Sequence, residues 1–179
     1  LKKYFRDYLF LFSISGFVIL LDQWSKHLVR TQLEFTAQWA PWPWLLPYFR
    51  IVHWNNTGAA FGLFQGMNLV FMVLAIIVSA GIIYYFPRIP RKDWLMRTAL
   101  ALQLGGAVGN LIDRFRFGTV TDFISMGNFA VYNVADASIT IGVVLLAIDL
   151  LIKERQERLD RKNQESVKEE SGNQETHSE

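Results

Sequence analysis

Four stretches of this chain are apolar for long enough to cross a lipid bilayer as helices: residues 8–28, 68–86, 95–112 and 134–152. A helical span needs about 20 residues. In hydrocarbon the backbone must satisfy its own hydrogen bonds. Helix is therefore expected even in the fourth stretch, where Ile139, Thr140, Ile141, Val143 and Val144 would weaken one in water. Charge is distributed to match. Fourteen of the 34 charged side chains lie in residues 153–179, and residues 1–152 hold only eight acidic ones. Such a body does not suit a free-standing soluble domain. The expected class is an all-α membrane protein, with a four-span domain over 1–152. The charged cytoplasmic tail, 153–179, is expected to begin as a continuation of the fourth helix and then to become disordered.

Basic residues give the orientation. Lys2, Lys3 and Arg6 precede the first span, Arg88, Arg91 and Lys92 fill the loop between the second and third, and Lys153, Arg155, Arg158, Arg161 and Lys162 follow the fourth. The positive-inside rule places all three groups, and both termini, in the cytoplasm. Residues 29–67 and 113–133 are then extracytoplasmic. The first span resembles a secretory leader, but Leu21 runs into Asp22, Gln23, Trp24, Ser25 and Lys26 with no small-residue cleavage site, so a retained anchor is expected. A residue or two is expected ahead of Leu1. The first outer loop crowds Trp39, Trp42, Trp44, Tyr48, Phe49 and Trp54 among Pro41, Pro43 and Pro47. It reads as an interfacial aromatic belt, or as a surface for a lipidated ligand. Residues 49–54 read as a short strand on the membrane.

Several chemistries are excluded or disfavoured by composition. With no cysteine there is no disulfide, thiolate metal site or cysteine nucleophile. Three histidines, none in a zinc-binding pattern, argue against a metalloprotease, and no metal is expected. The scattered basic residues form no patch for nucleic acid. Adjacent Ser25 and Lys26 point apart on a helix and make a poor nucleophile pair; Lys26 alone reads as an interfacial anchor.

Acidic residues at membrane depth are functional candidates. Asp22, Asp113, Asp122 and Asp136 all fall toward the extracytoplasmic side, while Asp149 near the other end reads as a partner for the basic residues there. Asp122 and Asp136 are 14 residues apart, across a segment whose Gly127, Asn128 and Asn133 suit turns. Two carboxylates brought together share a proton, and such a pair activates water and polarises a carbonyl. The alternative for each alone is a helix N-cap or an ion pair with Arg114 or Arg116. Gly105 and Gly109, one turn beyond Ala101, read as a close helix contact, which would bring Asn110 and Asp113 near another span. A proton-relay transporter is the main rival, but its carboxylates belong near the midplane. A non-enzymatic scaffold presenting the aromatic loop is a second.

Five blocks in order carry a resemblance: Asp22-Gln23-Trp24-Ser25-Lys26; Asn56-Thr57-Gly58-Ala59-Ala60-Phe61; Gly105-Gly106-Ala107-Val108-Gly109-Asn110-Leu111-Ile112-Asp113-Arg114; Val120-Thr121-Asp122-Phe123-Ile124; and Tyr132-Asn133-Val134-Ala135-Asp136. Together, over about residues 8–152, they resemble the bacterial lipoprotein signal peptidase (type II signal peptidase) family. The resemblance implies an intramembrane aspartic endopeptidase of the bacterial inner membrane, with Asp122 and Asp136 as the catalytic dyad and no cofactor. Its substrates would be prolipoproteins cut just before a diacylglyceryl-modified cysteine, in contact with membrane lipid, and globomycin-type inhibitors would block it. Asn56, Gly58, Asn110, Arg114 and Asn133 match site-shaping or substrate-binding positions, and Asp22 and Lys26 structural or orienting ones. The resemblance also implies a small extracytoplasmic β-cradle, over about residues 31–55, and a short periplasmic helix over about residues 59–65.

Overall fold

The computed structural model of the chain describes residues 2–58 and 63–176. Its order is α1 (Lys2–Gln32), β1 (Gln38–Trp39), β2 (Phe49–Asn56), α2 (Asn68–Tyr85), α3 (Trp94–Phe117), β3 (Val120–Met126) and α4 (Val134–Thr176). All four helices are long and apolar enough to span a membrane. The fourth continues without a break through the polar tail as far as Thr176.

Helix α3 is the centre of the bundle and packs against α1, α2 and α4. The reason lies in its small residues. A Cβ on Gly105 would stand 2.7 Å from the Val18 Cβ of α1, one on Gly106 2.4 Å from the Ala135 carbonyl oxygen of α4, and one on Gly109 2.7 Å from Asp22 Oδ2. The expected Gly105/Gly109 contact is present, and Gly106 extends it to a second helix. From α1, Leu11, Ser15, Val18, Asp22, Lys26 and Val29 are buried at spacings of three and four, one continuous stripe. Phe5, Leu9, Phe12, Phe17, Leu20 and Trp24 are exposed, as lipid-facing side chains of a span are.

Gly106→Ala gives a direct test of this packing. The added methyl meets helix backbone, which cannot swing aside, so about 1–3 kcal/mol of destabilisation is expected. Thermal unfolding in detergent measures it; an unchanged Tm would mean that α4 yields without strain.

The sheet caps one end of the bundle in the order β1-β2-β3, all antiparallel. Strand β2 includes residues 49–54, as expected. Strand β3 is an element the sequence reading does not contain; of the turn residues that reading names, Gly127, with a φ of 53°, and Asn128 form a turn just after the strand. Helix α3 ends at Gly118, whose φ of 72° gives the left-handed stop and whose N–H donates to Arg114 O at 3.0 Å. The chain then enters β3 at once. Of the short helix expected over residues 59–65, residues 59–62 lie outside those described, and 63–66 form a turn. In the first outer loop Trp42, Trp44, Tyr48 and Trp54 are exposed, and the Trp42 and Trp44 rings stack at 6.2 Å.

At the opposite end, Asp149 pairs with Lys153 at 2.8 Å, and Lys153 also reaches Asp93 at 2.9 Å. Asp7, which the sequence did not single out, is buried there between Arg91 and Arg97, at 3.0 and 2.9 Å.

Candidate active site

Asp122 and Asp136 come together because the chain between them folds back on β3. Tyr132 bridges Ile124: Tyr132 N donates to Ile124 O at 3.0 Å, and Ile124 N returns a bond to Tyr132 O at 2.7 Å. That bridge delivers the next residue, Asn133, to the side of Asp122. Asn133 is wholly buried. Its Nδ2 donates to Asp122 Oδ1 at 2.7 Å and to Asn110 Oδ1 at 3.1 Å.

Asn133 is also the N-cap of α4. Its Oδ1 accepts from the Asp136 N–H at 2.9 Å, and Asp136 Oδ2 accepts from the Asn133 N–H at 3.2 Å. This reciprocal pair is a capping box, with aspartate in the third helical position. Asp136 is thus not the N-cap itself, the alternative offered for it; Asn133 is, and Asp136 closes the box from inside the helix while keeping its place in the cluster. Asn110, on α3, completes the ring by donating from Nδ2 to Asp136 Oδ1 at 2.8 Å. One asparagine thus touches both candidate carboxylates, and a second touches the first asparagine and Asp136.

Asn56 enters from β2. Trp54 stands opposite Asp122 in the register and Asn56 opposite Val120, so Asn56 is the diagonal neighbour of Asp122 on the same face. Its Nδ2 donates to Asp122 Oδ2 at 2.9 Å, and its Oδ1 accepts from the Gly58 N–H at 2.9 Å. A Cβ on Gly58 would lie 2.3 Å from Leu63 O, so only glycine fits this turn. Arg114 donates from Nη2 to Gly58 O at 3.2 Å, and its guanidinium lies 5.0 Å from the centre of the Phe71 ring. Neither it nor Arg116, which stacks on Phe117, makes the ion pair considered for the aspartates.

Asp22 and Lys26 lie behind this layer. Lys26 is not the interfacial anchor that its position suggests. It is fully buried, and its Nζ reaches Asp22 Oδ2 at 2.8 Å, Asn110 Oδ1 at 2.9 Å and Asp113 Oδ2 at 3.4 Å. The helical spacing of four from Asp22 is what makes the first pair. Ser25 instead donates to Asp22 O of its own helix. Sequence reasoning missed Arg30, whose Nη1 donates to Thr121 Oγ1 at 2.9 Å. It also missed Gln23, whose Nε2 bridges Asp22 Oδ2 and Asp113 Oδ1 at 3.2 and 3.1 Å. Neither is legible from spacing, since each acts across a gap of about ninety residues.

The carboxyl of Asp122 is pushed up to about 7, first by burial and next by the negative charge of Asp136; the donors from Asn56 and Asn133 pull the other way. A large fraction of it therefore carries a proton at neutral pH, where an ordinary aspartate is almost wholly ionised. Beside the pair lies a cavity of about 580 Å³, with Asp122, Asp136 and Arg114 on its polar side and Val131, Ile139 and Ile141 on its apolar side. Ile141 is half exposed on the outer surface of α4, which brings the apolar wall to the bundle's lipid-facing side. Among the described residues, no group of three or more His, Asp or Glu is placed to hold a metal ion.

Comparison with known proteins gives a consistent result. A family model described as signal peptidase (SPase) II matches residues 14–152. The lipoprotein signal peptidase of Halalkalibacterium halodurans is 36% identical over 154 residues, covering 84% of this chain and 97% of that protein. That of Desulfitobacterium hafniense is 46% identical over 117 residues, covering 65% of this chain and 78% of the relative. A bacterial membrane enzyme solved by the in meso method at 2.3 Å resolution superposes with a TM-score of 0.75 at 32% identity, covering 80% of this chain and 88% of that one.

Proposed function

This chain belongs to the signal peptidase II family, and from that premise we propose that it is an aspartic endopeptidase cutting prolipoproteins just before their diacylglyceryl-modified cysteine. As a family member it is a multi-pass membrane protease that removes signal peptides from prolipoproteins. The observation that carries the finer reading is the joint hold of Asn133 on Asp122 and Asp136 at the wall of a cavity.

In this mechanism Asp136 takes a proton from a water whose oxygen attacks the scissile carbonyl carbon. Asp122 gives its proton to the carbonyl oxygen, leaving a neutral gem-diol. Asp136 then passes its proton to the amide nitrogen as the C–N bond breaks, and Asp122 recovers a proton from the diol. The asparagines keep the two carboxyls in register: Asn56 and Asn133 for Asp122, Asn110 and Asn133 for Asp136. Arg114, on the cavity wall, orients the substrate backbone. The apolar wall of Val131, Ile139 and Ile141 suits lipid chains that remain in the bilayer while the peptide enters from the side. The basic groups at the ends of the spans support the reading in which both termini are cytoplasmic and the site faces the extracytoplasmic side, and the family likeness supports the bacterial inner membrane as its location. Globomycin-type inhibitors would occupy the same cavity.

The test compares a diacylglyceryl-modified prolipoprotein with its unmodified precursor, using purified protein in lipid. Cleavage just before the modified cysteine, with the unmodified form left intact, is the expected result. Equal cleavage of both, or of neither, would overturn the reading.

The protonation of Asp122 makes a further prediction. A group whose pKa is raised holds its proton below that value and loses it as pH rises through it. With Asp122 as the acid, kcat is expected to fall about tenfold per pH unit above about 7. A rate that climbs steadily from pH 7 to pH 9 would contradict that role.

A further inference from the structure

Each of the two candidate catalytic aspartates follows a residue whose backbone N–H is held by another, buried aspartate. Thr121 N, just before Asp122, donates to Asp113 Oδ2 at 3.0 Å. Ala135 N, just before Asp136, donates to Asp22 Oδ1 at 2.9 Å. The two holding carboxylates meet on one ammonium, that of Lys26, and all three side chains are fully buried. Lys26 spends its remaining reach on Asn110 Oδ1, at 2.9 Å. That contact fixes the amide with its nitrogen toward Asp136, because Lys26 can only donate.

We propose that Asp22, Asp113 and Lys26 form a buried clamp that sets the separation of Asp122 and Asp136, acting as positioning residues. The inference rests on the dyad reading above.

Each holding oxygen acts one residue from a reacting side chain, on backbone that β3 or the first turn of α4 makes stiff. Displacing either N–H therefore displaces a carboxyl directly. Next, buried ion pairs seldom stabilise more than apolar side chains of the same volume. Their use here is better explained by the geometry they impose. Finally, the charges balance locally: two carboxylates face Lys26 and Arg30, the latter 3.5 Å from Asp113 Oδ1. Counted together with Arg30, the clamp adds no net formal charge behind the dyad.

The test separates the backbone contact from the ion pair. Asp22→Ala/Lys26→Met and Asp22→Asn/Lys26→Met both remove the Asp22–Lys26 pair. Only the asparagine version keeps an oxygen for Ala135 N–H. Both are assayed as full-length protein on the diacylglyceryl-modified precursor, below their unfolding temperatures, with wild type and Asp122→Asn alongside. Expected is a kcat loss on the order of 100-fold in the alanine pair with KM within about threefold, and recovery of at least about tenfold in the asparagine pair. Equal kcat in the two pairs, or a loss confined to KM, would overturn the clamp. So would failure of the asparagine pair to fold, which would make these residues structural only. A wild type that leaves the lipidated precursor uncut would instead overturn the proposed function.

Discussion

Asp122→Asn and Asp136→Asn are each expected to lower kcat on a lipidated precursor by about 10⁴-fold or more, with the fold intact. Asparagine preserves the volume of either carboxyl, so packing around it changes little. At position 122 the amide keeps an oxygen for one of the two donors, from Asn56 and Asn133. At position 136 it keeps one for Asn110 Nδ2 or for the Asn133 N–H of the capping box. What each variant loses is the proton chemistry. Asp136→Asn leaves no base to take a proton from water, and Asp122→Asn leaves no acid to give one to the carbonyl. Because the two act as a unit, the double variant should be little worse than either single one. The measurement is single-turnover cleavage at pH 6 and pH 8, with unfolding temperature as the control. Substantial cleavage by the well-folded Asp136→Asn variant would contradict a shared-proton dyad.

How much of this site was legible in sequence depends on the distance over which each part is built. The spans follow from runs of about 20 apolar residues, a local property, and the helices enclose those segments. Asp149 was legible for the same reason: its partner, Lys153, is four residues away on its own helix. Lys26 shows the opposite case. One charge near the end of an apolar span reads as an anchor, and its burial depends on Asn110 and Asp113 arriving from α3. Strand β3 was missed although Val120, Thr121 and Ile124 are good strand formers. Only seven residues long and centred on an aspartate and a phenylalanine, it lacks a clean alternation, and its pairing with β2 joins positions about seventy residues apart. In sequence, a capping role and a dyad role for Asp136 look like competitors; in the structure the N-cap is Asn133, and Asp136 returns a bond to it from the third helical position. Cap and pair are one arrangement, since the cap residue is the side chain that reaches Asp122.

That double use of Asn133 yields the second large effect. Asn133→Ala is expected to lower kcat by about 10³-fold, the upper range for loss of one preorganised donor in a catalytic site. It should also destabilise the protein by about 1–2 kcal/mol through loss of the N-cap. The alanine variant alone cannot say which loss matters to the reaction, but serine can. Serine at an N-cap presents an oxygen to the third helical N–H, here Asp136 N. It is too short to carry a donor to Asp122 Oδ1, which Asn133 Nδ2 now reaches at 2.7 Å. Asn133→Ser should therefore recover most of the unfolding temperature and little of the rate. The contrast follows from where the two atoms point: Oδ1 holds α4, and Nδ2 holds the relation between the two carboxyls. If serine restored rate and stability in proportion, the side chain would act on catalysis only by anchoring the helix. The bond from Asn133 to Asp122 would then be incidental, and alignment of the dyad would have to come from Asn56 and Asn110.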